Sequence, residues 1–286
     1  MDCKRLLIVL LIIIIIVITV ITVSVFKKYN NMELFEDYSV NLDNVDEIYA
    51  KLYNIVFNEK LILDYDTDKI KKTLTKDSII LDAGTGTGKY FEYFFKNHKI
   101  VGVDLSKELL KYAKIRCPMG NFMIGNLKNS ELYQSKKFSH VLCLLDTLYH
   151  NDYESQATIL ENFHKWLKPD GYLFLHVLNY KKLIPSPRNY STLYLDDYKN
   201  VHSYTEFNKF SHDAYYIRKE DYVIYREKIK MSDNNNSRFH ETKLYIPKIK
   251  DKTIKQALEA GFEIKNIYKM GFYDDTDIEL YMLKKK

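Results

Sequence analysis

Hydrophobic positions in this chain follow three successive patterns. Residues 6–26 are an uncharged run, almost all Ile, Val and Leu, broken by Thr19, Thr22 and Ser24. As a helix, a run of that length spans about 31 Å, close to the hydrocarbon thickness of a bilayer. It exceeds the apolar stretch of a cleaved signal peptide and lacks small residues at a cleavage site. The pattern therefore predicts a short tail and a retained single-pass anchor over 1–26. Lys4 and Arg5 flank one end, Lys27 and Lys28 the other, and this balance leaves the orientation open. Residues 27–45 are polar and read as a tether.

From residue 46 the period becomes helical. Ile48, Leu52, Ile55 and Val56 fall on one face of a helix predicted over 46–63, with Tyr49 and Tyr53 beside them. From residue 78 short β-branched runs alternate with amphipathic stretches. Strands are expected at 78–81, 99–103, 122–124, 141–145 and 172–177. Helices are expected at 89–97, 107–116 behind a Ser106 cap, and 155–168, where Ile159, Leu160, Phe163, Trp166 and Leu167 point inward. Lys168-Pro169-Asp170-Gly171 reads as the turn into the fifth strand. Strands joined by such helices make a parallel, doubly wound sheet, with ligands beyond the carboxyl ends of its strands.

Over 180–246 the rhythm changes. Ten of the 25 tyrosines fall there, and antiparallel strands are expected at 214–217, 222–231 and 239–246. A helix at 252–260 and a terminal hairpin, 262–268 with 278–283, complete the chain. The domain therefore runs from 46 to 286, with an insertion at about 180–246.

Charge and composition exclude more than they assign. A formal net charge of +5 on 286 residues gives no argument for nucleic acid as an obligatory partner. Cys3, Cys117 and Cys143 are odd in number and far apart, so neither a disulfide framework nor a zinc site is expected. Nothing calls for an obligatory protein partner.

Only nine glycines occur, yet Gly84, Gly86 and Gly88 cluster directly after the first strand, behind Asp82. Glycines there let backbone approach a ligand where a Cβ would collide. Asp104, at the end of the second strand, can take both hydroxyls of a ribose. With ILDAGTGTG at 80–88, VGVDLS at 101–106, FSHVLCLLDTLYH at 138–150, LKPDGYLFL at 167–175 and ALEAGFEI at 257–264, the chain resembles class I S-adenosylmethionine-dependent methyltransferases.

That resemblance implies a Rossmann-like, mostly parallel seven-stranded sheet with an antiparallel β lid over the substrate. It implies S-adenosyl-L-methionine as cofactor. Asp82, Ala83 and the loop Gly84, Thr85, Gly86 and Gly88 would hold the methionine part, Asp104 the ribose, and Leu105 the adenine face. Asn126, followed by Leu127, stands where the family often has an acidic residue for the adenine amino group. Cys143 and Leu144 would approach the methionine end, and Tyr49 and Tyr53 match a helix that closes over the cofactor. His150, with Tyr149 or Asp146 behind it, is the candidate base; His176 reads as structural. Arg218, Arg226 and Glu227 read as solvated or paired across strands.

The expectation is a membrane-anchored methyltransferase with its catalytic domain in the cytosol, where the cofactor is made. The acceptor is expected to be a small polar molecule or a lipid head group. Two other readings stand beside it. One is a degenerate, non-catalytic scaffold with this fold, supported by Asn126. The other is a nicotinamide-dependent oxidoreductase, against which the loop lacks GxGxxG spacing.

Overall fold

Strands β1 (Ile79–Ala83), β2 (Lys99–Asp104), β3 (Asn121–Ile124), β4 (Phe138–Cys143) and β5 (Leu167–Leu178) are parallel neighbours in the computed structural model. Residues 47–57, 60–183, 192–196, 200–232, 237–249, 251–269 and 278–286 are described. A second, antiparallel sheet follows in the chain. It contains β6 (Thr192–Asp196), β7 (Asn200–Phe207), β8 (Phe210–Arg218), β9 (Val223–Met231) and β10 (Ser237–Leu244). Then β11 (Phe262–Lys269) and β12 (Ile278–Lys285) return to the first sheet, whose order is β11-β12-β5-β4-β1-β2-β3, with β12 antiparallel to both neighbours. The strand order reverses between β1 and β4, which is where ligands bind in such sheets.

The helices are α1 (Glu47–Val56), α2 (Lys60–Lys71), α3 (Lys89–Phe94), α4 (Lys107–Arg116), α5 (Tyr153–Trp166) and α6 (Asp251–Glu259). Both faces of the first sheet are covered. Leu81, Val141 and Leu173 pack with Phe163 and Trp166 of α5. Ile80, Leu142 and Phe174 pack with Ile70 of α2 and Phe91 and Phe94 of α3. Strands buried on both faces read as unbroken apolar runs, which is why their positions are clear in the sequence. Ser106 caps α4, its hydroxyl accepting the Leu109 N–H at 3.2 Å. Asp152 caps α5 in the same way, accepting the Ser155 N–H at 2.8 Å.

Three expectations change. The single helix over 46–63 is two helices, and Ile55 is 48% exposed instead of facing the core. The apolar face of α1 is made by Tyr49, Leu52 and Val56, and the side chain of Ile48 lies outside the described residues. The expected turn at 168–171 is a bulge inside β5: Leu167 pairs with Phe138 and Tyr172 with His140, so the intervening residues loop out, with Asp170 at φ 61°. In the insertion, β6 and β7 escape the pattern because the buried face of β7 carries Ser203 and Thr205.

Among the described residues no helix is long and apolar enough to cross a membrane; the expected span at 6–26 and the tether at 27–45 lie outside them.

Candidate active site

The loop after β1 is shaped by three glycines with left-handed backbone, at φ 72°, 53° and 75° for Gly84, Gly86 and Gly88. At Gly84 a Cβ would lie 2.3 Å from Cγ2 of Thr147, so a side chain is excluded by contact as well as by conformation. Gly84 and Thr85 donate their N–H groups to the Val103 carbonyl at 2.8 and 3.0 Å, folding the loop back on the end of β2. Gly86 donates to Oδ2 of Asp104 at 2.8 Å.

Beside this loop lies a cleft enclosing about 430 Å³, including the solvent at its mouth. Residues 82–87 form one wall, Leu144, Leu145, Asp146 and Thr147 the facing wall, and Tyr53, Lys89 and Tyr90 the rest.

Two carboxylates set its charge. Burial pushes the Asp82 carboxyl up to about 7, against a 2.5 Å hydrogen bond from the Thr85 hydroxyl. Burial also raises Asp104, opposed by the N–H groups of Ser106 and Gly86 on its oxygens. A carboxylate has about four acceptor positions, so about two remain for hydroxyl donors.

Past the end of β4, Cys143 is buried and its thiol is pushed well above the ordinary value, which makes it a packing group rather than a nucleophile. Leu145 has φ 54°, an outlier for a side chain of this size. Its N–H donates to Nδ1 of His176 at 2.7 Å, and Nε2 of that ring lies 3.0 Å from Oδ2 of the fully buried Asp66. Asp66 also accepts the Tyr90 hydroxyl at 2.5 Å. His176 is structural, as expected, and it supports the wall of the cleft.

His150 lies on the short 3₁₀ turn Thr147–His150, with Nε2 3.3 Å from Asp146 and Nδ1 3.5 Å from the Thr242 hydroxyl. Tyr149 has to be corrected. Its ring is fully buried, and its hydroxyl meets the His176 carbonyl at 3.3 Å and accepts the Leu178 N–H at 3.1 Å. Burial pushes that hydroxyl well above its ordinary pKa, so it holds its proton. It braces the turn against β5 and has no access to an acceptor.

The remaining expected residues separate into near and far. Tyr53 lines the cleft, while Tyr49 lies behind it, 5.9 Å from Tyr53 and 5.0 Å from His240 between ring centres. Leu105, next to Asp104 in the chain, is 41% exposed. Gly88 ends the loop as the cap of α3. The side-chain oxygen of Asn126 accepts the Lys128 N–H at 3.0 Å, closing a local turn. Leu127 packs on the core, and its carbonyl accepts from Asn162 at 2.9 Å.

Sequence reasoning missed Thr87, buried and donating to Asn54 of α1 at 2.6 Å, and Lys89, which bonds the Phe57 carbonyl and lies over the Tyr53 ring. Both tie the loop to α1, and only the fold brings them together.

Residues 80–171 match a family model described as a methyltransferase domain. No curated protein matches the chain. Its structure is similar to that of an S-adenosylmethionine-dependent methyltransferase from Clostridium acetobutylicum, at 19% identity and a TM-score of 0.66, covering 83% of this chain and 96% of that one. An amino pentose methyltransferase from Micromonospora echinaspora, solved with S-adenosylmethionine bound, is similar at 17% identity and a TM-score of 0.59, covering 78% and 90%. A sugar N-methyltransferase from Streptoalloteichus gives 16%, 0.62, and 87% and 96% coverage. The chain has the class I methyltransferase fold, and the segment that matches the methyltransferase-domain model, 80–171, holds the glycine loop, Asp104 and the end of β4.

Proposed function

We propose that this chain is an S-adenosylmethionine-dependent methyltransferase acting on a small polar molecule or a lipid head group. The observation that carries the reading is the Gly84–Gly88 loop hydrogen-bonded to the Asp104 carboxylate at the switch point of the sheet. The residues fit the cofactor. A side chain at Gly84 would block the close approach of the walls, Asp104 keeps acceptor positions for ribose hydroxyls, and Leu105 is exposed where an adenine would lie.

The cofactor supplies a methyl group on a sulfonium, already a strong electrophile, so the protein contributes alignment and desolvation. Asp82 and the loop amides orient the polar end. Leu144 and Leu145 exclude water from the far wall. Asp146 and His150 face each other at the exit of β4, and although burial opposes it, His150 holds the Asp146 carboxyl below its usual range. His150 is the group placed to take a proton from an acceptor that must lose one. The likeness to sugar and amino-sugar methyltransferases supports a small-molecule acceptor. The apolar run at 6–26 supports membrane anchoring, with the catalytic domain on the cytosolic side where the cofactor is made.

The test is thermal unfolding of the full chain in detergent with and without S-adenosylmethionine. At a hundredfold excess over Kd the ligand adds about 2.7 kcal/mol, a rise of about 5–10 °C for a chain of this size. The rise is expected in wild type and absent in Asp104→Ala. A folded sample that shows no rise at millimolar cofactor would exclude the reading in favour of a scaffold.

A further inference from the structure

Leu145 lines the cleft with its backbone at φ 54°. For a side chain of this size that conformation is unfavourable, and it persists only where surrounding groups fix it. The group that fixes it stands behind the cleft. The Leu145 N–H donates to Nδ1 of His176 at 2.7 Å, and the ring is fully buried. An N–H donates only to a nitrogen without a proton, so Nδ1 is the bare nitrogen and Nε2 the protonated one. Nε2 lies 3.0 Å from Oδ2 of Asp66, which is buried as deeply. The carboxylate therefore selects the tautomer of His176 that can accept from Leu145.

The same Asp66 oxygen accepts the Tyr90 hydroxyl at 2.5 Å, and Tyr90 also lines the cleft. One buried carboxylate oxygen thus connects two lining residues from different elements, Tyr90 of α3 and Leu145 at the exit of β4.

The walls they belong to are already in close contact. Thr147, on the same wall as Leu145, approaches Gly84 so nearly that a Cβ there would lie 2.3 Å from its Cγ2 and 2.5 Å from its Oγ1. A change of backbone conformation at Leu145 would displace Thr147 against the glycine loop and alter the spacing of the walls.

We propose that His176 and Asp66 are positioning residues for the cofactor, acting through Leu145 and touching no ligand themselves. This rests on the methyltransferase reading and adds to it a pair of groups outside the cleft. His176 sets the conformation of Leu145, and Asp66 sets the tautomer of His176. A residue that only fills the core would affect stability alone, whereas a positioning residue ties cofactor affinity to the Leu145 N–H.

The test separates the two nitrogens of His176. Asparagine sets its amide oxygen about where Nδ1 stands, so His176→Asn keeps an acceptor for Leu145 and loses the reach to Asp66. His176→Gln does the reverse, with its amide about where Nε2 stands. Each change leaves a buried group short of a partner, so both proteins should melt lower than wild type by similar amounts. Binding of S-adenosylmethionine to the full chain in detergent is then measured by calorimetry. His176→Asn should bind within about twofold of wild type, and His176→Gln about tenfold more weakly. Adding Leu145→Gly to His176→Gln should recover most of that loss, because glycine holds this φ without support. Equal affinities in the two single variants, or losses that follow melting temperature instead of the residue at 176, overturn the proposal and leave His176 as packing. So does a Leu145→Gly change that recovers nothing. Folded wild type that fails to bind S-adenosylmethionine overturns the methyltransferase reading and the proposal with it, and is recognised before any variant is compared.

Discussion

Asp82 is held near the midpoint of its titration at neutral pH, because burial in the end of β1 lifts its carboxyl to about 7. This is the reverse of the common paired carboxylate. The folded state keeps the proton where the unfolded chain, with its ordinary value of 3.8, has lost it. Stability therefore falls as pH rises from about 4 towards 7, and stays at its reduced level above. Asp82→Asn, which keeps the shape without the charge, is expected to stabilise the free protein at pH 8 by about 1–3 kcal/mol and to have little effect at pH 4. Urea unfolding at the two pH values checks this. Cofactor binding has the opposite sign, since a ligand ammonium next to Asp82 favours the ionised form. Affinity should rise up to about tenfold per pH unit below 7 and level off above, with proton release visible as a buffer-dependent calorimetric enthalpy. A pH-independent affinity would remove Asp82 from contact with the ligand's cationic end.

At the scale of elements, the wall of the cleft is held by parts of α2, α3, β4 and β5 meeting at one buried cluster. Asp66 from α2, Tyr90 from α3 and His176 from β5 support the left-handed Leu145 just past β4. His176→Leu leaves Asp66 without its imidazole and the Leu145 N–H without its acceptor, so a loss of about 3–5 kcal/mol is expected. Removing both partners, as Asp66→Leu with His176→Leu, should be milder than the single change, because no buried carboxyl is then left without its imidazole. A double-mutant cycle in urea, with Asp66→Leu as the second single change, measures the difference; additive losses would show that the two groups do not interact. The cluster also marks what the sequence can reveal. The apolar strands and the glycine loop are legible because each is encoded by neighbours in the chain. His176 reads as structural because it alternates with Leu175 and Val177, but nothing in the sequence around Asp66, far earlier in the chain, points to it as the partner. Tyr149 misleads for the same reason, its hydroxyl being used by β5. The buried face of β7 carries Ser203 and Thr205, and these defeat the alternation that betrays ordinary strands.

At the scale of the whole molecule, an anchor at 6–26 would decide which acceptors the cleft meets. If those residues span a bilayer, full-length protein made in cells should sediment with membranes, resist carbonate extraction and dissolve only in detergent. A chain beginning at Lys27 should be released, because the remaining charge and composition offer no second anchor. The side on which the domain lies follows from the two sequons, Asn189-Tyr190-Ser191 and Asn235-Asn236-Ser237, when the protein is expressed in a eukaryotic secretory system. A cytosolic domain leaves both asparagines bare, whereas a glycan on either one places the domain in a lumen without the cofactor's source. Tethering also changes what the enzyme can reach. An acceptor in solution should be methylated equally fast by the full and the shortened chain. A membrane-borne acceptor should be methylated faster by the tethered form, by a factor set by its effective concentration near the surface. Comparing the two forms on the same acceptor in solution and in vesicles therefore decides whether the anchor delivers the enzyme to its substrate or only to its compartment.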